Sequence, residues 1–529
     1  MARYELKKMM RGALVLTIAA FFAKVLSAVY RVPLQNLVGD EGFYVYQQVY
    51  PFYGLAMTLA LTGLPQFISK YVAEQNGFDE EQTLGQLTTF VSAISLALWG
   101  ILFVFSRPIA FLMGDVALQM SIQVISFTFL LIPPLTMYRG HLQGQLILVP
   151  TALSQVVEQL VRVGVILFAA ASFRFFQLTI YQVGAISMAG SFVGGLVAVG
   201  ILFYAHQRYS QLPLPFWQKS FWRLPQSSIR RRFLVEGGLV SIYSGYLLML
   251  QLIDSFFLVN FLRLSGTPFE MARIEKGVFD RGQPLVQLGL VVALALSTSF
   301  LPTLTHYSKN RKSATYLFAS KLYLRLTVAI GLAASVGLAL VMPYINYTLF
   351  TDGAGNQVLS VFVFSIVLMA VVQGYQSIAQ SRNHFRPAYQ GALVGFAVKI
   401  VLTPLLVYLM GTLGASYATL AALVCTLYWF IKNESKAINR FWHERLFGWR
   451  LLGSIGVMAV VIRLFYRIFT FFYGTQIDRT MALFLTFAGV LIGITSFIAA
   501  LLYFKLFSIR EWFYLPFGKK ILNRMRRKK

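Results

Sequence analysis

The chain has 529 residues, of which 57% are hydrophobic and only 12% charged, and its formal net charge is +27. Soluble domains carry about 45–50% apolar and about 25% charged residues, so the composition excludes a soluble globular protein and points to a polytopic membrane protein. The single cysteine, Cys425, excludes an intrachain disulfide and a cysteine-based metal site.

Apolar windows long enough to cross about 30 Å of hydrocarbon occur near 12–34, 44–68, 88–106, 122–144, 150–172, 183–205, 233–262, 278–302, 321–342, 358–380, 387–410, 412–431, 450–473 and 481–504. The expected fold is an all-α integral membrane protein with fourteen transmembrane helices. The basic start "MARYELKKMMRG" leads into a window long enough to span, with no small-residue cleavage site after it, which predicts a retained first helix. A large majority of the 46 lysines and arginines fall on alternate connections, the ones that face inward when the N-terminus is inside. This is the positive-inside pattern, and it predicts a multi-pass protein of the bacterial cytoplasmic membrane with both termini cytoplasmic. The clusters "RRR" at 230–232 and "KKILNRMRRKK" at the C-terminus then read as juxtamembrane contacts with anionic membrane lipids, with no nucleic-acid partner.

Set against itself, the chain shows a long-period repeat. "GFYVYQQ" (42–48) faces "GVFDRGQ" (277–283), which makes Gln48 and Gln283 equivalent positions, and Arg162 faces Lys399. The expected lobes are 1–205 (windows one to six) and 233–431 (windows seven to twelve), joined by a cytoplasmic linker, 206–232. Residues 432–529 hold the last two helices and a basic tail. Two parallel copies of six helices place a cavity between the halves.

Once the connections are counted, with Arg139 and Lys276 among them, eight basic residues remain, Lys24, Arg31, Arg162, Arg281, Arg325, Lys399, Arg463 and Arg467, against few acids, chiefly Glu158, Glu236, Asp254 and Asp280. A charge at the bilayer centre costs at least about 2.5 kcal/mol, so these positions are candidates for function. Lys24, Arg162 and Lys399 each lie about twelve residues into a window, roughly 18 Å at 1.5 Å per residue, near the midplane. Thr17, Lys24, Ser27, Arg31 and Gln35 form one helical stripe, and Glu158 precedes Arg162 by four residues, the favourable order for a helical ion pair. Asp280, Gln283 and Gln287 line up on another helix, and Glu236 and Asp254 share one azimuth of the seventh window. Arg281 lies close enough to a window end to be interfacial, and Arg325, Arg463 and Arg467 suit snorkelling or a peripheral groove. A net-cationic cavity favours an anionic head group, with Lys24, Arg31, Arg162, Arg281, Lys399, Gln48 and Gln283 as substrate contacts. Glu158 and Asp254 are the expected coupling acids.

The phrases "YRGHLQGQ" (138–145) and "PTALSQVVEQLVRV" (150–163), with the opening "GDEGFYVYQQVYPFYGLAMTLALTGLPQFISKYVAE" (39–74), resemble the Gram-positive polysaccharide-exporter branch of the MOP (multidrug, oligosaccharidyl-lipid, polysaccharide) superfamily. That branch includes lipid II flippases and stage V sporulation relatives. The resemblance implies a non-enzymatic flippase working by alternating access on a lipid-linked cell-wall or polysaccharide precursor. Its cationic cavity residues would be Lys24, Arg31 and Arg281. No cofactor is expected, with coupling to the membrane potential, H+ or Na+, and cell-wall synthesis enzymes are candidate partners.

Two other readings compete. A drug or cation antiporter of the same superfamily needs an acid-rich cavity, and here bases outnumber acids. A membrane glycosyltransferase would find carboxylates at Asp40 and Glu41 in the first outside loop, but the outside connections are short and the pair reads more simply as a solvated turn after Gly39.

Overall fold

The computed structural model describes residues 2–74, 78–210, 222–310, 313–474, 477–508 and 511. The linker segment 211–221 and the basic tail from 512 lie outside the described residues. The described residues are helical, with no strand among them. In chain order the first half holds α1 (Ala2–Val29), α2 (Arg31–Thr58), α3 (Leu64–Glu74), α4 (Phe78–Val104), α5 (Ser106–Leu112), α6 (Gln119–Ser126), α7 (Ile132–Gly144), α8 (Leu148–Phe175) and α9 (Ile180–Tyr209). The middle continues with α10 (Ser227–Arg232), α11 (Gly238–Ser244), α12 (Tyr246–Leu264), α13 (Phe269–Asp280), α14 (Gly282–Lys309) and α15 (Ser313–Phe350). The remainder is α16 (Asn356–Phe362), α17 (Ser365–Ser381), α18 (Phe385–Met410), α19 (Thr412–Asn433), α20 (Lys436–Asn439), α21 (Phe447–Tyr473) and α22 (Arg479–Tyr503).

Among the described residues, 13 helical stretches are long and apolar enough to cross a membrane, against the fourteen windows expected. The difference lies at the start, where the first two windows run into a single stretch, Val15–Glu74. Its 60 residues are far more than the ~20 that one crossing needs, and it bends at Gly39, whose φ of 71° is open to glycine and strained for other residues. The seventh window is also modified. A π-helical turn at Phe233–Gly237 and a break at Gly245 precede α12, so Glu236 and Asp254 do not share one continuous helix.

Packing divides the chain into two compact units, one of residues 1–288 with 388–422 and one of 289–387 with 423–529. These units do not follow the lobe boundaries read from the sequence repeat. In the first unit α2 is the central element and packs against α8, α9, α12 and α13. It is buried almost continuously from Gly42 to Met57, although that stretch carries Tyr44, Tyr46, Gln47, Gln48, Tyr50 and Tyr53. Burying so many polar groups is costly unless they find partners, which marks α2 as the organiser of a polar interior. α8 and α9 pack closely through small residues: a Cβ placed on Gly194 of α9 would lie 2.7 Å from the Glu158 carbonyl oxygen of α8. In the second unit α21 and α22 pack on each other and on α15, with Tyr344 stacked on Tyr466 at 4.2 Å.

Candidate functional site

All the charge that matters here is inside the first unit, and most of it is paired. Arg139 of α7 donates to Glu158 of α8 at 2.8 Å, with both side chains buried. The same guanidinium reaches the Ala60 carbonyl at 3.3 Å, a group in the π-helical turn Leu59–Gly63. Lys276 and Asp280 pair at 2.5 Å one turn apart on α13, both fully buried. Arg281 grips Asp40 with two nitrogens, at 2.9 and 2.5 Å, and Gln35 adds a third bond to the same carboxylate at 3.0 Å. This geometry depends on backbone proximity, since a Cβ on Gly277 would lie 2.3 Å from the Asp40 carbonyl oxygen. Lys399 of α18 meets Asp254 of α12 at 2.5 Å.

Arg31 and Arg162 are left over. Both are fully buried and neither forms an ion pair with a carboxylate among the described residues. The Arg31 guanidinium lies 4.3 Å from the ring centre of Tyr50 and 5.9 Å from that of Tyr30, and its three nitrogens make no hydrogen bond among the described residues. The Arg162 guanidinium lies 4.2 Å from Tyr53, 5.1 Å from Tyr30 and 6.0 Å from Tyr50, with one long bond of 3.4 Å to the Ser27 hydroxyl. Two arginines from α2 and α8 therefore share one cage of tyrosines, tightened by a 2.6 Å bond between the Tyr30 and Tyr46 hydroxyls and by Gln159 donating to Tyr53 at 3.0 Å. Ring faces attract a cation by about 2 kcal/mol when desolvated, which offsets part of the burial penalty but supplies no negative charge. The cage carries two positive charges in excess of neutrality, and it is chemically suited to an anion with several oxygens, because a guanidinium binds phosphate or carboxylate in a bidentate fork.

Several expectations are corrected by this geometry. Glu158 does not pair with Arg162, because Arg139 from the neighbouring helix reaches it first. Lys399 is not an unpaired cation. Lys24 is exposed on α1 and forms no ion pair among the described residues, whereas Arg162 and Lys399 are fully buried. Arg281 is fully buried, and Asp40 is its partner and no solvated turn. Gln48 is tied to the Ser255 and Met113 carbonyls at 2.6 and 3.3 Å, and Gln283 is buried. In the second unit Arg325 is buried between Glu444 and Glu511, whereas Arg463 and Arg467 are exposed. The tyrosine cage, Arg139 and Lys276 were missed. The spacing of Tyr46, Tyr50 and Tyr53 along one helix face was a readable signal.

Comparison with known proteins shows the family and the fold. A family model described as polysaccharide biosynthesis protein matches residues 9–308. The uncharacterized membrane protein YabM of Bacillus subtilis (strain 168) is 34% identical, over 98% of this chain and 97% of that protein. The lipid II flippase MurJ of the same organism is 24% identical, over 81% of this chain and 83% of that one. A solved structure of lipid II flippase MurJ in an inward closed conformation shares the fold, with a TM-score of 0.67 at 14% identity over 93% of this chain and 99% of that chain.

Proposed function

The chain belongs to the polysaccharide biosynthesis protein family, and on that premise we propose that it is an alternating-access flippase for a lipid-linked anionic saccharide precursor. The substrate class is a cell-wall or polysaccharide unit joined to its lipid through a pyrophosphate, carried across the cytoplasmic membrane without chemical change. The observation that carries this reading is the Arg31–Arg162 pair, buried in tyrosine rings with no acid of its own. A fully buried unpaired charge is retained against its cost where a ligand supplies the counter-charge. Similarity to a lipid II flippase supports a substrate that keeps its tail in the bilayer while its charged end crosses. Arg31 and Arg162 are the primary contacts in this scheme, Lys24, Arg281, Lys399, Gln48 and Gln283 the surrounding shell, and Glu158 and Asp254 the acids through which the membrane potential, H+ or Na+ acts.

The test is flipping of a fluorescent, pyrophosphate-linked lipid saccharide in proteoliposomes. Charge-assisted hydrogen bonds are worth about 1.5–3 kcal/mol each, so Arg31→Gln and Arg162→Gln each weaken substrate affinity by about tenfold or more. Wild-type protein that moves no lipid-linked anionic saccharide, or variants that flip at the wild-type rate and affinity, would overturn the reading.

A further inference from the structure

The Lys399 ammonium sits where a metal cation would sit. Its neighbours are all oxygens: Asp254 Oδ1 at 2.5 Å, Thr419 Oγ1 at 2.7 Å and the Ala415 carbonyl at 3.3 Å, contributed by α12 and α19. One carboxylate, one hydroxyl and one backbone carbonyl form a hard, oxygen-only donor set with a single negative charge, the composition that suits a small hard cation. One turn beyond Lys399 on α18, the Thr403 hydroxyl is fully buried and has no partner, and one turn before Asp254 on α12 both polar atoms of buried Gln251 are unpartnered. Thr403 Oγ1 and Gln251 Oε1 are thus buried oxygens without a partner among the described residues, one helical turn from Lys399 and Asp254 respectively. Lysine has a flexible apolar stem ending in a compact monovalent charge, so it can deliver a cation to such a cage and keep it there.

We infer that the Asp254–Thr419–Ala415 cage is a monovalent alkali-cation site whose ion is replaced by the protein's own Lys399 ammonium. A tethered cation cannot leave during a transport cycle. The Asp254 carboxylate therefore stays neutralised without help from the medium, and no gradient of Na+ or K+ acts through it. The inference deepens the transport reading by removing alkali-cation exchange at Asp254 from the coupling options, but the cage itself stands on its contacts and is tested without any transport assay.

The experiment compares wild-type protein with Lys399→Ser, which removes the ammonium, leaves room for an ion and adds a hydroxyl. Thermal unfolding is followed in detergent with NaCl, KCl or choline chloride at constant ionic strength. The expected result is a wild-type Tm that does not distinguish the three salts and a Lys399→Ser Tm raised by about 2 °C or more by NaCl or KCl over choline chloride, since a ligand held only by the folded state stabilises it. The salt giving the larger rise identifies the ion. Adding Asp254→Asn to Lys399→Ser removes the charge that holds the ion and abolishes the rise. A folded, monodisperse Lys399→Ser protein indifferent to both alkali salts would overturn the inference. Direct binding of radioactive 22Na+ to wild-type protein covers the case in which the variant does not fold: none displaceable by Asp254→Asn is expected, and saturable binding lost in Asp254→Asn would overturn the inference equally.

Discussion

Glu158 binds Arg139 of the neighbouring helix at 2.8 Å and leaves Arg162, one turn along its own helix, without a carboxylate. Arg162 is as buried as Arg139, but the Arg139 guanidinium also reaches the Ala60 carbonyl and the Ser154 hydroxyl, whereas that of Arg162 lies against tyrosine rings. The consequence is a division of labour between two fully buried arginines. Arg139 is neutralised and structural, and Arg162 is charged and available.

That division predicts opposite responses to the same substitution. Arg139→Met strands the Glu158 carboxylate in the interior and lowers stability by about 3–5 kcal/mol. Glu158→Gln does the same to Arg139, and the Arg139→Met, Glu158→Gln double variant recovers much of the loss because no buried charge remains. Unfolding midpoints of the purified proteins in detergent check this, and strictly additive losses would show that the two groups do not depend on each other.

Arg162→Met and Arg31→Met behave differently. Each removes a buried charge worth at least about 2.5 kcal/mol of insertion cost and gives up ring contacts of about 2 kcal/mol, so stability stays level or rises slightly while export fails. The measurement pairs the Tm with complementation in cells lacking any other flippase. A large loss of Tm in either variant would mean that the arginines hold the fold and not a ligand.

These two cases also show what could be read from the residues. Composition and windowing established the helical membrane fold, because bilayer burial acts on local sequence, and the family resemblance rested on the stretches 39–74, 138–145 and 150–163. Arg162 stood out as a charge inside an apolar window, and it is buried. Its partners did not stand out, because a buried charge is matched across helices and nothing in the spacing along α8 announces Arg139 of α7. Lys276 falls outside the windows for a related reason: α13 begins at Phe269, ahead of the apolar window that starts at 278, and Arg139 lies in the last turns of α7, next to a cytoplasmic connection by the windowing. Asp40 resembled a turn residue because it follows Gly39, and only the fold brings Arg281 to it.

The positive-inside pattern predicts sidedness. Cysteines placed at Ser210 or Ser313, in a background with Cys425 replaced, should react with impermeant reagent only from the cytoplasmic side, and those at Ser265 or Gly353 only from outside. Labelling of any one of them from the opposite face would reverse the assigned orientation of its connection.

Gly277 makes a separate prediction about the grip of Arg281 on Asp40. Alanine there puts a methyl group 2.3 Å from the Asp40 carbonyl oxygen, a backbone atom that cannot swing aside. The two backbones must separate, at about 1–3 kcal/mol, and the two-nitrogen contact of Arg281 opens with them. Gly277→Ala therefore lowers Tm, and in that background Arg281→Gln costs less than it does in the wild type. Equal costs of Arg281→Gln in both backgrounds would show the close approach to be irrelevant to the pair.

Arg325 offers the sharpest test in the second unit. Its three guanidinium nitrogens go to three groups: the Phe441 carbonyl at 3.2 Å, Glu444 at 2.9 Å and Glu511 at 2.7 Å. It thereby fastens α15 to the turn before α21 and to the residue that ends the described chain, where Glu511 also receives the Ser508 amide at 2.6 Å. Lysine carries the same charge but has one nitrogen and no fork, so it can serve one of these partners well and not three spread around a plane. Glu511 and Arg325 are both nearly fully buried, so the acid left behind is not rescued by solvent. Arg325→Lys should therefore destabilise nearly as much as Arg325→Met, and both should expose the region around Ser508 to protease at temperatures where the wild type resists. Glu511→Gln, which keeps an acceptor but loses the charge, should fall between them and the wild type. If Arg325→Lys matches the wild type in both Tm and protease resistance, the charge alone is sufficient and the three-way geometry contributes nothing to holding α15 in place.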